Sequence, residues 1–468
     1  MVFADLIFLY LFLPVNLVLY YISKNRTYRN MVLVLFSLFF YAWGEPIWIV
    51  LLLFSATVDY LHGLIIEQQR EKIGARLAVV SSLIINLSLL ASFKYSGLIV
   101  VTVNNLFGTA FTPPSFALPI GISFYTFQTI SYTIDVYRGD AEPQHNFGKF
   151  LLFVSLYHQL VAGPIVRYNE ISERIEERHE SWAEFSSGIN RFLIGLTKKT
   201  LVANTAGKLA IPYLGGNIAS LSVLGAWFGI VLYALQIYYD FSGYSDMAIG
   251  LGHMFGFRHP ENFRYPYISR SATEFWRRWH VSLGRFFRDY LYIPLGGNRR
   301  HMVFNLLITW LATGLWHGAS WNFMLWGGYY GVLILLERLF LLRLLDRLPR
   351  FIAHLYFVVL MLFGWVLFNF TSLPEAFLYM GKMLGLHGAP LFDLSVWLDV
   401  TSNGIWLCLS ILFSLPVTVL LECIWERVPQ MRQSRLGWVR PVFNLILLIT
   451  GTALLVGQSY NPFMYFRF

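Results

Sequence analysis

Apolar runs of bilayer length recur from one end of this sequence to the other, and they decide what it can fold into. Segments at 3–22, 46–65, 76–94, 351–371 and 441–459 are close to the roughly 20 residues that span a hydrocarbon core. Lipid offers no partner to a free N–H or C=O, so such segments cross as helices. Only 13% of the residues are charged, against about a quarter in a soluble chain. The sequence therefore predicts an all-α integral membrane protein, a single polytopic domain over 1–468. Its net charge of +9 is no nucleic-acid signature, because basic residues in a membrane protein mostly mark cytoplasmic loops. Cys408 and Cys423 form neither a metal pattern nor a disulfide framework. The first run begins at Phe3 without a basic leader or a small-residue cleavage site, which predicts a retained span.

Further candidate spans lie at 30–44, 96–109, 119–137, 148–168, 190–211, 218–239, 303–316, 320–342 and 403–424. Several are short or polar. The pattern predicts roughly 10 to 12 full crossings plus re-entrant and interfacial helices. Gly44-Glu45-Pro46 predicts a tight turn between two of the spans. Lys24, Arg26 and Arg29 follow the first run, and Arg70, Lys72 and Arg76 follow the third. Arg338 to Arg350 and Arg427 to Arg440 are two further basic clusters. All four read as cytoplasmic, whereas 372–402, with one lysine (Lys382) and no arginine, reads as outside. Both termini then lie on the extracytoplasmic side.

Three stretches interrupt the apolar pattern. In Leu315-Trp316-His317-Gly318-Ala-Ser-Trp321, one ionisable side chain stands inside a long apolar run. A histidine at membrane depth is costly unless it faces a cavity or a partner, so His317 is a candidate functional residue. The plainer alternative is a histidine that only bonds a neighbouring helix. Gly314 and Gly318 let the backbone bend or let another group approach closely.

The second stretch, Gln236 to Ala248, holds Asp240, Asp246, two serines and three tyrosines. Gly243 and the serines predict a helix break, which membranes tolerate only inside protein or along water. Helix capping by Asp240, Ser242 or Asp246 is the other reading, and both can hold.

The third stretch, 256–302, carries nine arginines, no lysine and three acids. It reads as a cytoplasmic or re-entrant segment. Ser271 and Glu274 have the spacing of a capping box, and Glu274 and Arg278 that of a helical ion pair. Continued helix would put Trp276 and His280 on one face, with Arg285 and Arg288 two and three turns beyond Arg278. One reading is an ordinary positive-inside loop. The sharper one is a vestibule for an anionic, phosphorylated ligand, because the arginine fork matches phosphate geometry.

Trp276-Arg-Arg-Trp-His280-Val-Ser-Leu, Tyr292-Ile-Pro-Leu-Gly-Gly-Asn298-Arg and Trp316-His317-Gly-Ala together resemble the signature of the membrane-bound O-acyltransferase family. Pro119 to Gln128, Tyr132 to Arg138, Ala162 to Tyr168, the opening Met1-Val-Phe3 and the closing Asn461 to Phe466 fit as well. The resemblance covers nearly the whole chain. It is closest to the bacterial branch holding membrane subunits of alginate and peptidoglycan O-acetyltransferases and the teichoic-acid D-alanyl transfer protein. It implies a ring of helices in a bacterial inner membrane, around a tunnel from a cytoplasmic donor site to an outer funnel. It maps the family's two histidines onto His280 and His317, the second being the usual catalytic residue.

Transfer from a thioester to a hydroxyl needs a base near pH 7, a carbonyl held against the attacking oxygen and donors for the oxyanion. His317 is the candidate base and His280 its companion on the donor side. Arg277, Arg278, Arg285 and Arg288 are candidates for the phosphates of acetyl-CoA, unless an acyl carrier protein supplies the thioester. Trp316 and Trp321 are candidate walls, and Asp240 and Asp246 candidate tunnel residues. No metal is expected, since HxxxH, HExxH and CxxC are absent. The ending Phe463-Met-Tyr465-Phe-Arg-Phe468 resembles a tail whose tyrosine relays the acyl group outward. It also suits a plain interfacial anchor. Implied partners are a polysaccharide acceptor, membrane lipid and an extracytoplasmic SGNH-type acyltransferase, with no nucleic acid. A proton-coupled transporter is the alternative from another class, because midplane polar residues suit it too. His62, His158 and His354 read as helix-bonding residues, and His253, His259 and His301 as interfacial ones.

Overall fold

The computed structural model describes residues 1–114, 116–417, 419–420, 437–457 and 463–464, and every regular element among them is a helix. The chain divides into two compact units that interleave along the sequence. One comprises Met1–Phe192, Tyr244–Glu261 and Tyr460–Phe468; the other comprises Leu193–Gly243 and Asn262–Ser459.

In the first unit, Ile49–Gln68, Ile73–Leu90 and Ile122–Arg138 pack against one another. Their apolar exteriors cover a polar seam. Asp59 accepts from Ser82 Oγ at 2.6 Å and from Asn86 Nδ2 at 2.7 Å, and Ser55 Oγ donates to Asn86 Oδ1 at 3.0 Å. At membrane depth such groups must find partners inside the protein. His62 joins the first two of these helices, with Nε2 2.7 Å from Ser81 Oγ, as its position suggests. The expected turn at Gly44-Glu45-Pro46 separates Arg26–Gly44 from Ile49–Gln68.

The expected spans 76–94 and 96–109 are instead one helix of 35 residues, Ile73–Phe107. No proline intervenes, and a π-turn over Ala91–Tyr95 carries the helix through. At 1.5 Å per residue it is about 50 Å long and overshoots a hydrocarbon core of about 30 Å. The expected span 148–168 departs in the other direction. Phe147–Ser155 and Tyr157–Leu160 are separate short helices, and Gly163, at φ 109°, leads into irregular chain at Pro164.

The second unit contains a tight hairpin of Met302–His317 and Trp321–Leu336, the latter also packed on Arg350–Asn369. Glycine makes the hairpin possible. A Cβ on Gly314 would lie 2.2 Å from Phe323 O, and one on Gly327 would lie 2.3 Å from Trp310 O. Leu394–Ser402 and Gly404–Ser414 meet at a bend of 67°.

Val223–Met254 contributes to both units, and 72% of its most apolar stretch is buried, against 11% for that of Val439–Val456. Its polar side chains therefore meet protein rather than lipid. The break expected near Gly243 is absent, because the helix is continuous there. Gly243 serves packing instead: a Cβ would lie 2.8 Å from Gly195 O. Asp240 and Asp246 accordingly lie inside a helix and cap nothing.

Among the described residues, five helices are long and apolar enough to cross a membrane, or six if the bent pair is one span. The gap from roughly 10 to 12 expected crossings reflects expected spans whose helices are merged, short or split. Phe8–Ile22 and Met302–His317 are shorter apolar helices of this kind.

Candidate active site

His317 is the last residue of its helix, and Gly318 follows in extended backbone. A Cβ on Gly318 would lie 2.1 Å from the Phe323 ring, so only glycine lets the chain leave here. The His317 ring is enclosed edge-on by Trp316, Trp326 and Phe368, with centroids 4.9, 5.0 and 5.2 Å away. His317 is 4% exposed. In such low-dielectric surroundings each hydrogen bond of an imidazole is stronger than in water. Asn322 Nδ2 donates to Leu367 O at 3.1 Å and so pins the next helix to the one that carries Phe368.

His280 reaches the same place by a route that helical periodicity does not predict. The expected helix does start at Ser271, whose Oγ accepts from Glu274 N at 3.1 Å. Arg278 donates to Glu274 Oε1 from Nε at 3.1 Å and from Nη2 at 2.9 Å, as its spacing predicts. The Glu274 carboxylate turns back to Arg270 N rather than to Ser271 N, so the capping box is half formed. The helix then stops at Trp276, and His280 takes left-handed backbone, φ 45°, before a second helix over Val281–Phe287. Trp276 and His280 therefore share no helix face, and Arg285 and Arg288 do not extend one from Arg278.

The reversal buries His280. Its ring packs edge-on against Phe241 at 4.7 Å and against Trp316 at 5.9 Å. Two histidines 37 positions apart, 280 and 317, thus flank one indole. His280 Nδ1 lies 3.2 Å from Asn262 Oδ1. Burial pushes the His280 pKa down to about 3, so the ring is neutral at pH 7.

One acid, Glu337, and an aromatic cluster support this site. Trp276 packs on Trp310, Trp326 and Tyr330 at 5.0, 5.4 and 5.0 Å, and Trp326 is also a wall of His317. Buried Glu337 accepts from Ala272 N at 2.6 Å and from Thr273 N at 2.8 Å, placing a carboxylate on the N-terminus of the Trp276 helix. Sequence reasoning missed Glu337, although it is the acid that ends the uncharged run after His317. It also missed Phe241, Trp326, Phe368 and Asn262, which no spacing rule ties to either histidine.

The sequence model of the membrane-bound O-acyltransferase family matches residues 140–382, more than half of the chain and both histidines. The chain belongs to this family. A probable alginate O-acetylase of Pseudomonas putida is 37% identical, with 100% of both chains covered. Another, from Pseudomonas aeruginosa, is 41% identical over 80% of this chain and 73% of its own. A peptidoglycan O-acetyltransferase of Helicobacter pylori is 31% identical over 99% of this chain and 96% of its own. Family membership makes the protein an O-acyltransferase and an integral membrane protein.

The other expected site residues of this acyltransferase each have surroundings of their own. Trp321 is 53% exposed, unlike the buried rings around His317. Asp240 pairs with Lys199 at 2.5 Å in the second unit. Asp246 belongs to the first unit, where Arg191 donates to it at 2.9 Å and also to Glu261. Neither acid is therefore a bare tunnel carboxylate, and Lys199 and Arg191 were not singled out in the sequence. Arg277 is exposed, Arg285 half-buried, and Arg288 donates to Asp289 at 2.6 Å. Tyr465 lies outside the described residues. Phe463, two positions before it, is buried against Tyr244 at 4.7 Å, and Tyr244 stacks on Phe3 at 4.6 Å. The first and last motifs of the chain thus share one ring.

Proposed function

We propose that this O-acyltransferase moves an acetyl group from cytoplasmic acetyl-CoA toward hydroxyls of an extracytoplasmic polysaccharide, with His317 as general base. The observation that carries this reading is the pair of buried histidines on either side of Trp316. His317 Nε2 or Nδ1 takes the proton of the attacking hydroxyl as its oxygen bonds to the thioester carbonyl carbon. The tetrahedral oxyanion then collapses, the C–S bond breaks, and the proton passes to the departing thiolate. The aromatic walls keep water from competing as nucleophile. His280, neutral and buried, holds the donor or the proton path. Arg277, Arg278, Arg285 and Arg288 bind the donor's phosphates, with Arg278 and Arg288 exchanging their carboxylate partners for phosphate. The alginate and peptidoglycan O-acetylating relatives support a glycan acceptor.

The tail completes the reading. Tyr465 accepts the acetyl group with His317 as base and passes it to an extracytoplasmic SGNH-type acyltransferase. Burial of Phe463 supports a tail that is anchored within the protein.

The test is release of free CoA from acetyl-CoA by the purified protein in nanodiscs, comparing wild type with His317→Ala. Equal turnover in the two, with intact folds, would remove His317 from the chemistry. Tyr465→Phe keeps the aromatic anchor and removes the hydroxyl. It is expected to abolish acetylation of the polymer in cells, and full acetylation would rule the relay out.

A further inference from the structure

We infer that Asn262 is the positioning residue that fixes the tautomer and ring orientation of His280 for acyl transfer. This rests on the reading that His280 takes part in that reaction. Asn262 is fully buried, 18 residues upstream of His280, and nothing in the helical spacing links the two. Its Oδ1 accepts from Ser282 Oγ at 2.9 Å and from Ser282 N at 3.3 Å. A backbone N–H can only donate, so the atom facing Ser282 is the oxygen and the amide orientation follows. The same oxygen faces His280 Nδ1 at 3.2 Å, so Nδ1 carries the proton and Nε2 is the basic nitrogen. The main chain repeats the clamp, because Val281 N donates to Asn262 O at 3.0 Å.

The clamp also accounts for the backbone of His280. A non-glycine residue at φ 45° is held there only when its surroundings over-determine it. Here the bonds from Asn262 to Val281 and Ser282 hold the residues just after the reversal, and Phe241 holds the ring. Asn262 thus orients a ring that two aromatic neighbours alone would leave free to flip its nitrogens.

The test compares Asn262→Leu, Asn262→Asp, His280→Gln and the Leu–Gln double variant for acetyl-CoA turnover. Asn262→Leu is expected to lower kcat about 10- to 100-fold, the usual cost of losing a partner that orients a working histidine, while KM stays nearly constant. In the His280→Gln background the same change is expected to add no further loss, because the two act as one unit. Asn262→Asp keeps the acceptor and adds a charge that favours imidazolium. It is expected to retain turnover and move the acidic limb of the pH–rate profile upward by about one unit. Wild-type turnover in Asn262→Leu, or additive losses in the double variant, would overturn the inference and leave the role of His280 standing. Wild-type turnover in His280→Gln would overturn that role and the inference with it. Where Asn262→Leu fails to fold, the Asn262→Asp profile decides: an unmoved limb overturns the inference.

Discussion

His158 and His259 in the first unit lie as deep in protein as His280 and His317 in the second, yet their rings are held differently. His158 packs on Tyr157 at 4.5 Å and on Phe255 at 5.1 Å, and its ring is 5.8 Å from that of His259. His259 stacks on Phe257 with the two planes 4° apart. Among the described residues, none of the four ring nitrogens of His158 and His259 has a hydrogen-bond partner. Burial pushes His259 down to about 3, as it does His280. Depth therefore does not separate the two pairs, and charge state does not separate His259 from His280. Orientation separates His280 from the first pair, because Asn262 fixes which of its nitrogens bears the proton, and among the described residues no such group faces His158 or His259. A buried histidine whose tautomer is set can do directed proton chemistry.

The comparison can be broken most decisively at His317. Its replacement by alanine is expected to lower acetyl-CoA turnover about 10²- to 10⁴-fold, the range for loss of a general base. Thiol release measured in nanodiscs reads this directly, and a similar loss in His158→Phe would erase the distinction between the pairs. His158→Phe is instead expected to keep turnover near wild type. It also removes two buried nitrogens without protein partners, so its melting temperature is expected to match or exceed that of wild type.

The smallest expected effect concerns acid. His259 and His280 have folded pKa values near 3 against about 6.5 in an unfolded chain. Between those values the unfolded state binds more protons, so stability falls as pH drops from 6.5 towards 3 and rises as pH is raised. At pH 5 the loss is roughly 2 kcal/mol for each histidine. Melting curves at pH 7 and pH 5 are expected to show it, and His259→Phe is expected to shrink the pH difference. An unchanged pH difference in that variant would mean that His259 is not buried as a neutral ring.

Much of this protein was legible before any coordinates. Long uncharged runs determine a helical membrane protein, because hydropathy is a property of each residue and adds along the chain. His317 stood out for the same local reason, a lone titratable group among apolar neighbours. Gly314 and Gly318 were read as points of close approach, and the hairpin uses them so. Tertiary structure alone decided the rest. Gly243 looked like a break and is a helix-packing contact, because what matters is Gly195 lying opposite it. His280 looked helical and is left-handed, because Asn262 and Phe241 hold the reversed chain. Asp240 and Asp246 looked like one polar site and found separate cations, Lys199 and Arg191, in separate units. Hydropathy and spacing are written in single residues and short intervals. Partners chosen across tens of residues depend on which surfaces meet, and only the fold brings those surfaces together.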